Sequence, residues 1–207
     1  MGGDYYDFLD LGSQRIGIAL ADVAGKGIAA ALIMSVVQAS LRILAAEGNM
    51  SLGALAAKMN RYLHRSTGSN AYATFFYAEI DEGARRLRYV NAGHNPPCLL
   101  RCGTDRSIEE LPAGGTVIGL FPQCDYSECA IDLRPGDVLM AFTDGVPEAL
   151  SPNDEEFGED RLKELLRSSA HLPVSEMASH IATELKSWIA TAAQYDDLTF
   201  IVMKVKP

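Results

Sequence analysis

The sequence predicts an α+β fold, an antiparallel sheet core with helices outside it. Two observations lead there. Short apolar runs suited to strands come in groups, and the helical stretches fall in two separated pairs: strands, two helices, many strands, two helices, a strand. In addition, no internal repeat, linker or low-complexity stretch divides the 207 residues, so one domain over 1–207 is the expectation.

Residues 5–11 and 15–21 read as two strands, with Gly12-Ser13-Gln14 as a short hairpin loop. A glycine-rich turn, Val23-Ala24-Gly25-Lys26-Gly27, leads into an apolar helix over 28–46, stopped by Glu47-Gly48-Asn49. Ser35, Gln38, Ser40 and Arg42 interrupt that helix, so it reads as a buried helix rather than a membrane span. Ser51 is a good N-cap for a second helix over 52–64, whose apolar positions Leu52, Leu55, Ala56, Met59 and Leu63 recur at helical spacing. A polar loop is expected over 65–70. Strands follow over 74–80 and 86–90, then shorter ones over 98–101, 108–111, 128–133 and 138–142. The stretch 112–122, with three glycines, reads as loop. Two helices are expected over 159–167 and 176–189, the second capped by Ser175, and a last strand over 198–205.

Hydrophobic residues make up 48% and charged residues 22%, which is ordinary for a globular chain able to bury a core. Eighteen Lys and Arg against 27 Asp and Glu give a net charge of −9. That argues against a nucleic-acid partner, which normally needs a clustered basic face. The four cysteines, Cys98, Cys102, Cys124 and Cys129, have gaps too wide for the usual zinc knuckle and read as free thiols. No secretion signal is visible, and the chain is expected to be cytoplasmic, without membrane contact.

The acids carry the chemistry. A hairpin centred on Ser13 places Asp4 directly opposite Asp22, with Cβ atoms roughly 4.5–5.5 Å apart. Two like charges so placed are destabilising unless a cation lies between them. Two more apolar strands are bounded by aspartate: 138–143 ends on Asp144, and Asp196-Asp197 precedes 198–202. If the last strand runs antiparallel to the others, these carboxylates collect at one end of the sheet. Oxygen donors suit Mg²⁺ or Mn²⁺, and carboxylates bridging a metal pair are a recurring arrangement for phosphate ester hydrolysis. Bound cations would also let so acidic a chain accept an anion. Gly25 and Gly27 allow a sharp turn beside Asp22, so that Val23 can offer its carbonyl as a further ligand.

At these residues the sequence resembles the metal-dependent protein phosphatase (PPM) family, in its bacterial SpoIIE/RsbU-like branch. The matching segments are Gly2-Gly3-Asp4-Tyr5-Tyr6-Asp7, Asp22-Val23-Ala24-Gly25-Lys26-Gly27, Asn91-Ala92-Gly93-His94-Asn95-Pro96-Pro97, Phe142-Thr143-Asp144-Gly145 and Asp196-Asp197-Leu198-Thr199, in the family's order. The resemblance implies a four-layer α-β-β-α sandwich, two antiparallel sheets around a dimetal site. It implies two Mn²⁺ or Mg²⁺ ions, with Asp22 bridging both, Asp4 and the Val23 carbonyl on one, and Asp144 and Asp196 on the other. Those four aspartates would be the catalytic set, and Asp197 would stand behind them. The reaction implied is attack of metal-activated water on phosphoserine or phosphothreonine. The substrate implied is a phosphorylated STAS-type anti-sigma antagonist or similar phosphoprotein in a partner-switching pathway, with a sensor domain upstream. The alternative is a catalytically inactive PPM-like module that binds a phosphoprotein. Against the family pattern, Ala24 stands where eukaryotic relatives carry a proposed general-acid His, their phosphate-binding Arg is not seen, and the family's first helix and strand are expected to be missing.

Other residues have plainer readings. His94 reads as a structural loop histidine, and Asp7 and Asp10 as exposed strand positions. Trp188 and the run Phe75-Phe76-Tyr77 read as core. Lys26 either touches a substrate phosphate or solvates its turn.

Overall fold

A computed structural model describes residues 3–67, 71–103 and 106–206. Gly2 of the first motif and the end of the loop expected over 65–70 lie outside these. In chain order the elements are β1 (Asp4–Asp10), β2 (Arg15–Val23), α1 (Ile28–Glu47), α2 (Leu52–Ser66), β3 (Ala73–Asp81), β4 (Arg86–Ala92), β5 (Cys98–Leu100), β6 (Ile108–Glu110), β7 (Glu128–Asp132), β8 (Val138–Phe142), α3 (Glu159–Ser169), α4 (Val174–Ile189) and β9 (Phe200–Lys204). Two antiparallel sheets and four helices among the described residues make this the α+β fold the sequence predicts.

The contacts divide the chain into two compact units, Met1–His94 with Pro112–Leu133, and Asn95–Leu111 with Arg134–Pro207. The first holds the five-stranded sheet β1-β2-β3-β4-β7 with α1 and α2. Its core gathers Tyr5, Leu9, Ala19 and Ala21 from the first hairpin, Phe75 and Tyr77 from β3, and one stripe of each helix. α2 starts as predicted: Ser51 Oγ accepts the Ala54 N–H at 3.2 Å, closing an orphan donor of the first turn. α1 stops at Gly48 in the left-handed conformation, φ 64°.

α1 corrects one expectation. It is not a buried helix: Ala30, Ile33, Val37, Leu41, Leu44 and Ala45 face the core, while Ile28, Leu32 and Ile43 are exposed. With 20 residues and a mean hydropathy of 1.9 in its most apolar window, it is long and apolar enough to cross a membrane by length and composition.

Asp7 corrects another. Along β1, residues 5, 7 and 9 share the buried face, so Asp7 points inward and is 8% exposed. Arg42 on α1 donates to both its oxygens, Nε to Oδ2 at 2.8 Å and Nη2 to Oδ1 at 2.7 Å, and the Tyr5 hydroxyl donates to Oδ2 at 2.7 Å. Burial opposes ionisation of Asp7, but these donors outweigh it and hold the carboxyl below its ordinary range. Burial, then the neighbouring Asp7 carboxylate, pushes the Tyr5 hydroxyl up. Asp10 is exposed, as expected, and accepts the Gly12 N–H.

The second unit holds the four-stranded sheet β6-β5-β8-β9 with α3 and α4. All five residues of β8 are buried, and Met140 and Phe142 pack with Leu162, Leu166, Met177 and Ile181 from the helices. Trp188 is only half-buried: its Nε1 donates to the Ala149 carbonyl at 3.1 Å, and the Arg161 guanidinium lies 4.3 Å from its ring centroid. Ser175 does not cap α4. Pro173 takes that position, its carbonyl receiving the Met177 N–H, and Ser175 is the second residue of the helix. The four cysteines are free thiols, with Cys98 buried; that burial raises its pKa to about 11.

Candidate functional site

The first acid pair is built by the hairpin. In β1 and β2 the register is Asp4↔Asp22, as the pairing about Ser13 predicts. β3 extends the row, with Thr74 opposite Asp22. Cross-strand partners point to the same face of a sheet, so Asp4, Asp22 and Thr74 line one face in register. Both aspartates are half-buried and remain in reach of solvent.

Gly3 closes this corner. A Cβ there would lie 2.8 Å from the Val23 carbonyl oxygen and 3.1 Å from Asp22 Oδ1. The Val23 N–H donates to the Gly3 carbonyl at 3.1 Å. Only glycine lets these two segments approach so closely. The result is a carboxylate row beside a main-chain carbonyl, an all-oxygen donor set of the kind that suits Mg²⁺ or Mn²⁺. Beyond Val23 the chain turns through Gly25 and Gly27, both at positive φ (100° and 82°), and Gly27 is the N-cap of α1. Lys26 sits exposed in this turn.

The second acid pair is built by β8 and β9, which run antiparallel with Phe142 opposite Phe200. Thr143 and Thr199 continue the ladder by other means. The Thr143 N–H donates to the Thr199 carbonyl at 3.0 Å, and the Thr199 N–H donates to Thr143 Oγ1 at 3.3 Å. These bonds delay the start of β9 to Phe200, two residues later than predicted, and draw the Asp144 and Asp196 loops together. A Cβ at Gly145 would press on the Asp197 carbonyl and lie 3.4 Å from Asp196 Cβ. Asp196 is exposed and its Oδ1 accepts the Asp197 N–H at 2.9 Å; Asp197 is half-buried.

Two features escaped the sequence reading. Glu148 follows Asp144 by one turn and donates its N–H to the Asp144 carbonyl. Desolvation, then the negative charges of Asp144, Glu156 and Asp196, raises its carboxyl above the ordinary value. The spacing Asp144 to Glu148 was the available signal. His94, read as a loop residue, is 3% exposed and hydrogen-bonded through Nδ1 to Thr74 Oγ1 at 2.8 Å. Among the described residues, no three His, Cys, Asp or Glu side chains form a ready-made metal-holding group.

Comparison with solved structures defines the class. The SiaA-PP2C domain of Pseudomonas aeruginosa superposes with a TM-score of 0.85 over 98% of this chain and 80% of its own, at 24% identity. The fold is therefore that of PP2C domains. Residues 12–206 match the family described as Stage II sporulation protein E (SpoIIE), and the chain belongs to that family. Among curated relatives, the phosphoserine phosphatase RsbU of Bacillus subtilis is 31% identical over 100% of this chain and 60% of its own length. Protein IcfG of Synechocystis sp. is 29% identical over 98% of this chain and 36% of its own. The chain thus spans between about a third and three fifths of these relatives.

Proposed function

We propose that this chain is a metal-dependent phosphoprotein phosphatase that hydrolyses phosphoserine or phosphothreonine on a regulatory partner. The observation that carries the reading is the Asp4↔Asp22 register beside the Gly3–Val23 contact. Two half-buried carboxylates are held face to face by the hairpin, an arrangement that a bound cation stabilises.

In this reading Asp4, Asp22, the Val23 carbonyl, Asp144 and Asp196 are the oxygen donors that would hold Mn²⁺ or Mg²⁺ ions. When bound, such ions activate water and neutralise the phosphate ester's charge. The chain's own residues hold the acids in place: the hairpin fixes Asp4 against Asp22, and the Thr143–Thr199 bonds fix Asp144 beside Asp196. The substrate class follows from kinship with RsbU, a named phosphoserine phosphatase. A phosphorylated STAS-type protein of a partner-switching pathway is the substrate we infer, with a sensor domain elsewhere in the full protein and a cytoplasmic setting.

The test is turnover of p-nitrophenyl phosphate and of a phosphoserine peptide at millimolar Mn²⁺, beside an Asp22→Asn control. The expected loss in Asp22→Asn is at least about a hundredfold, since a misplaced site alone costs on that order. Wild-type turnover no higher than the control would overturn the enzyme reading and leave a phosphoprotein-binding module in its place. Faster turnover of nucleotides than of phosphopeptides would overturn the substrate class.

A further inference from the structure

We propose that Thr74 and His94 are positioning residues for Asp22, acting through a hydrogen-bond relay that ends on its main chain. The consequence for metal affinity rests on the function proposed above; the relay itself does not. Three distances define it. The Asp22 N–H donates to Thr74 Oγ1 at 3.2 Å, Thr74 Oγ1 lies 2.8 Å from His94 Nδ1, and the His94 N–H donates to Asn91 Oδ1 at 2.8 Å.

Each link is anchored. Thr74 is placed opposite Asp22 by the β2–β3 register, not by a loop. His94 is held from both sides by one buried residue: Asn91 Oδ1 receives its N–H, and Asn91 Nδ2 donates to its carbonyl at 3.1 Å. Gly93 makes the turn possible at φ 67°, where a Cβ would lie 2.9 Å from Val117 Cγ1. The Asn91-Ala92-Gly93-His94 motif thus works as a bracket that aims one imidazole at one hydroxyl.

The chemistry of the hydroxyl makes the relay directional. A threonine hydroxyl has one proton to donate and two lone pairs to accept with. In the tautomer whose Nδ1 is unprotonated, the Thr74 hydroxyl donates its hydrogen bond to His94 Nδ1. That turns an Oγ1 lone pair toward the Asp22 N–H. Without His94 the hydroxyl rotates, and the bond to Asp22 becomes one option among several. Neither residue is placed as a metal ligand; both set the main-chain position from which the Asp22 carboxylate projects.

The full chain serves for the test. Thr74→Val removes the hydroxyl with little change of shape, whereas Thr74→Ser keeps it. The amide of His94→Asn falls near Nδ1 of the imidazole, and that of His94→Gln falls near Nε2, away from Thr74. Two readouts are taken: Mn²⁺ affinity by calorimetry, and hydrogen exchange of the Asp22 amide by NMR in metal-free protein. Thr74→Val and His94→Gln are each expected to weaken Mn²⁺ binding about three- to tenfold, the worth of one hydrogen bond, and to speed exchange at Asp22. Thr74→Ser and His94→Asn are expected to stay within about twofold of wild type. The Thr74→Val/His94→Gln double variant should bind no worse than Thr74→Val alone, because coupled residues are not additive.

Additive losses in the double variant, or unchanged Asp22 exchange in Thr74→Val, overturn the relay. If wild type binds no Mn²⁺, the metal reading fails while the exchange data still decide the relay. If Thr74→Val does not fold, the His94→Asn and His94→Gln pair decides it, equal behaviour of the two refuting it.

Discussion

Replacing Asp4 by Asn should change stability in opposite directions with and without metal. Asp4 and Asp22 are direct cross-strand partners in β1 and β2. At a separation of about 5 Å, two unit charges repel by about 1 kcal/mol in water-like surroundings and about 3 kcal/mol at an effective dielectric near 20. Both residues are half-buried and in reach of solvent, so the lower figure applies. In metal-free buffer at low ionic strength, Asp4→Asn should therefore gain about 1 kcal/mol, a rise in Tm of about 2–4 °C for a chain of this size. Metal that binds only the folded state adds about 2.7 kcal/mol at a hundredfold excess over its Kd. In the proposed site Asp4→Asn gives up one charged ligand and with it much of that gain. In millimolar Mn²⁺ the variant should then melt below wild type. Differential scanning calorimetry in chelator and in Mn²⁺, at matched ionic strength, measures both. An equal loss of Tm in the two buffers would refute the argument, because it would mean that Asp4 acts through packing and not through charge.

Other perturbations probe other parts of the structure. Gly145→Ala forces the Asp197 carbonyl to retreat on the order of 1 Å, carrying Asp196 with it, and should lower kcat/KM about a hundredfold with every carboxylate still present; phosphatase activity within about threefold of wild type would contradict this. The Asp7 carboxyl titrates below its ordinary value in the folded protein, so its stabilisation is complete above the unfolded value near 3.9 and is lost as pH falls through the folded one. The Tm gap between wild type and Asp7→Asn should thus be flat from about pH 5 to 8 and close in stronger acid, and a gap that widens there would sink the assignment. Asn60 is fully buried, accepts the Gly119 N–H at 2.8 Å and donates to the Phe121 carbonyl at 3.0 Å. Asn60→Ala leaves two backbone groups unsatisfied and should cost about 2–4 kcal/mol in urea unfolding; a loss below about 1 kcal/mol would show that water replaces both partners.

What the sequence reveals depends on the range of the interaction. The Asp4↔Asp22 pairing is legible because one short loop sets the register, and symmetry about Ser13 does the rest. The Ser51 cap and the Gly48 stop are legible for the same reason, since each acts within one turn of its helix. Asp7 shows where that reach ends. Its place on the Tyr5–Leu9 face is written in the alternation, yet the Arg42 that makes a buried carboxylate tolerable lies 35 residues away on α1. His94 is a similar case, because its partner Thr74 is fixed only by the sheet and its target Asp22 lies on a third strand. The exposed half of α1 was hidden differently: an apolar helix advertises its composition, but not how many of its sides find something to pack against.

The Thr143–Thr199 lacing has a bearing on biosynthesis. It joins segments 56 residues apart, with α3 and α4 made in between. The Asp144 loop leaves the ribosome long before its partner exists, and contacts of such sequence separation form late. A nascent chain can complete the hairpin that carries Asp4 and Asp22 early, whereas Asp144 and Asp196 meet only after synthesis has passed residue 200. The two halves of the acid set thus mature at different times, and a ribosome-bound or prematurely terminated chain carries only the first of them.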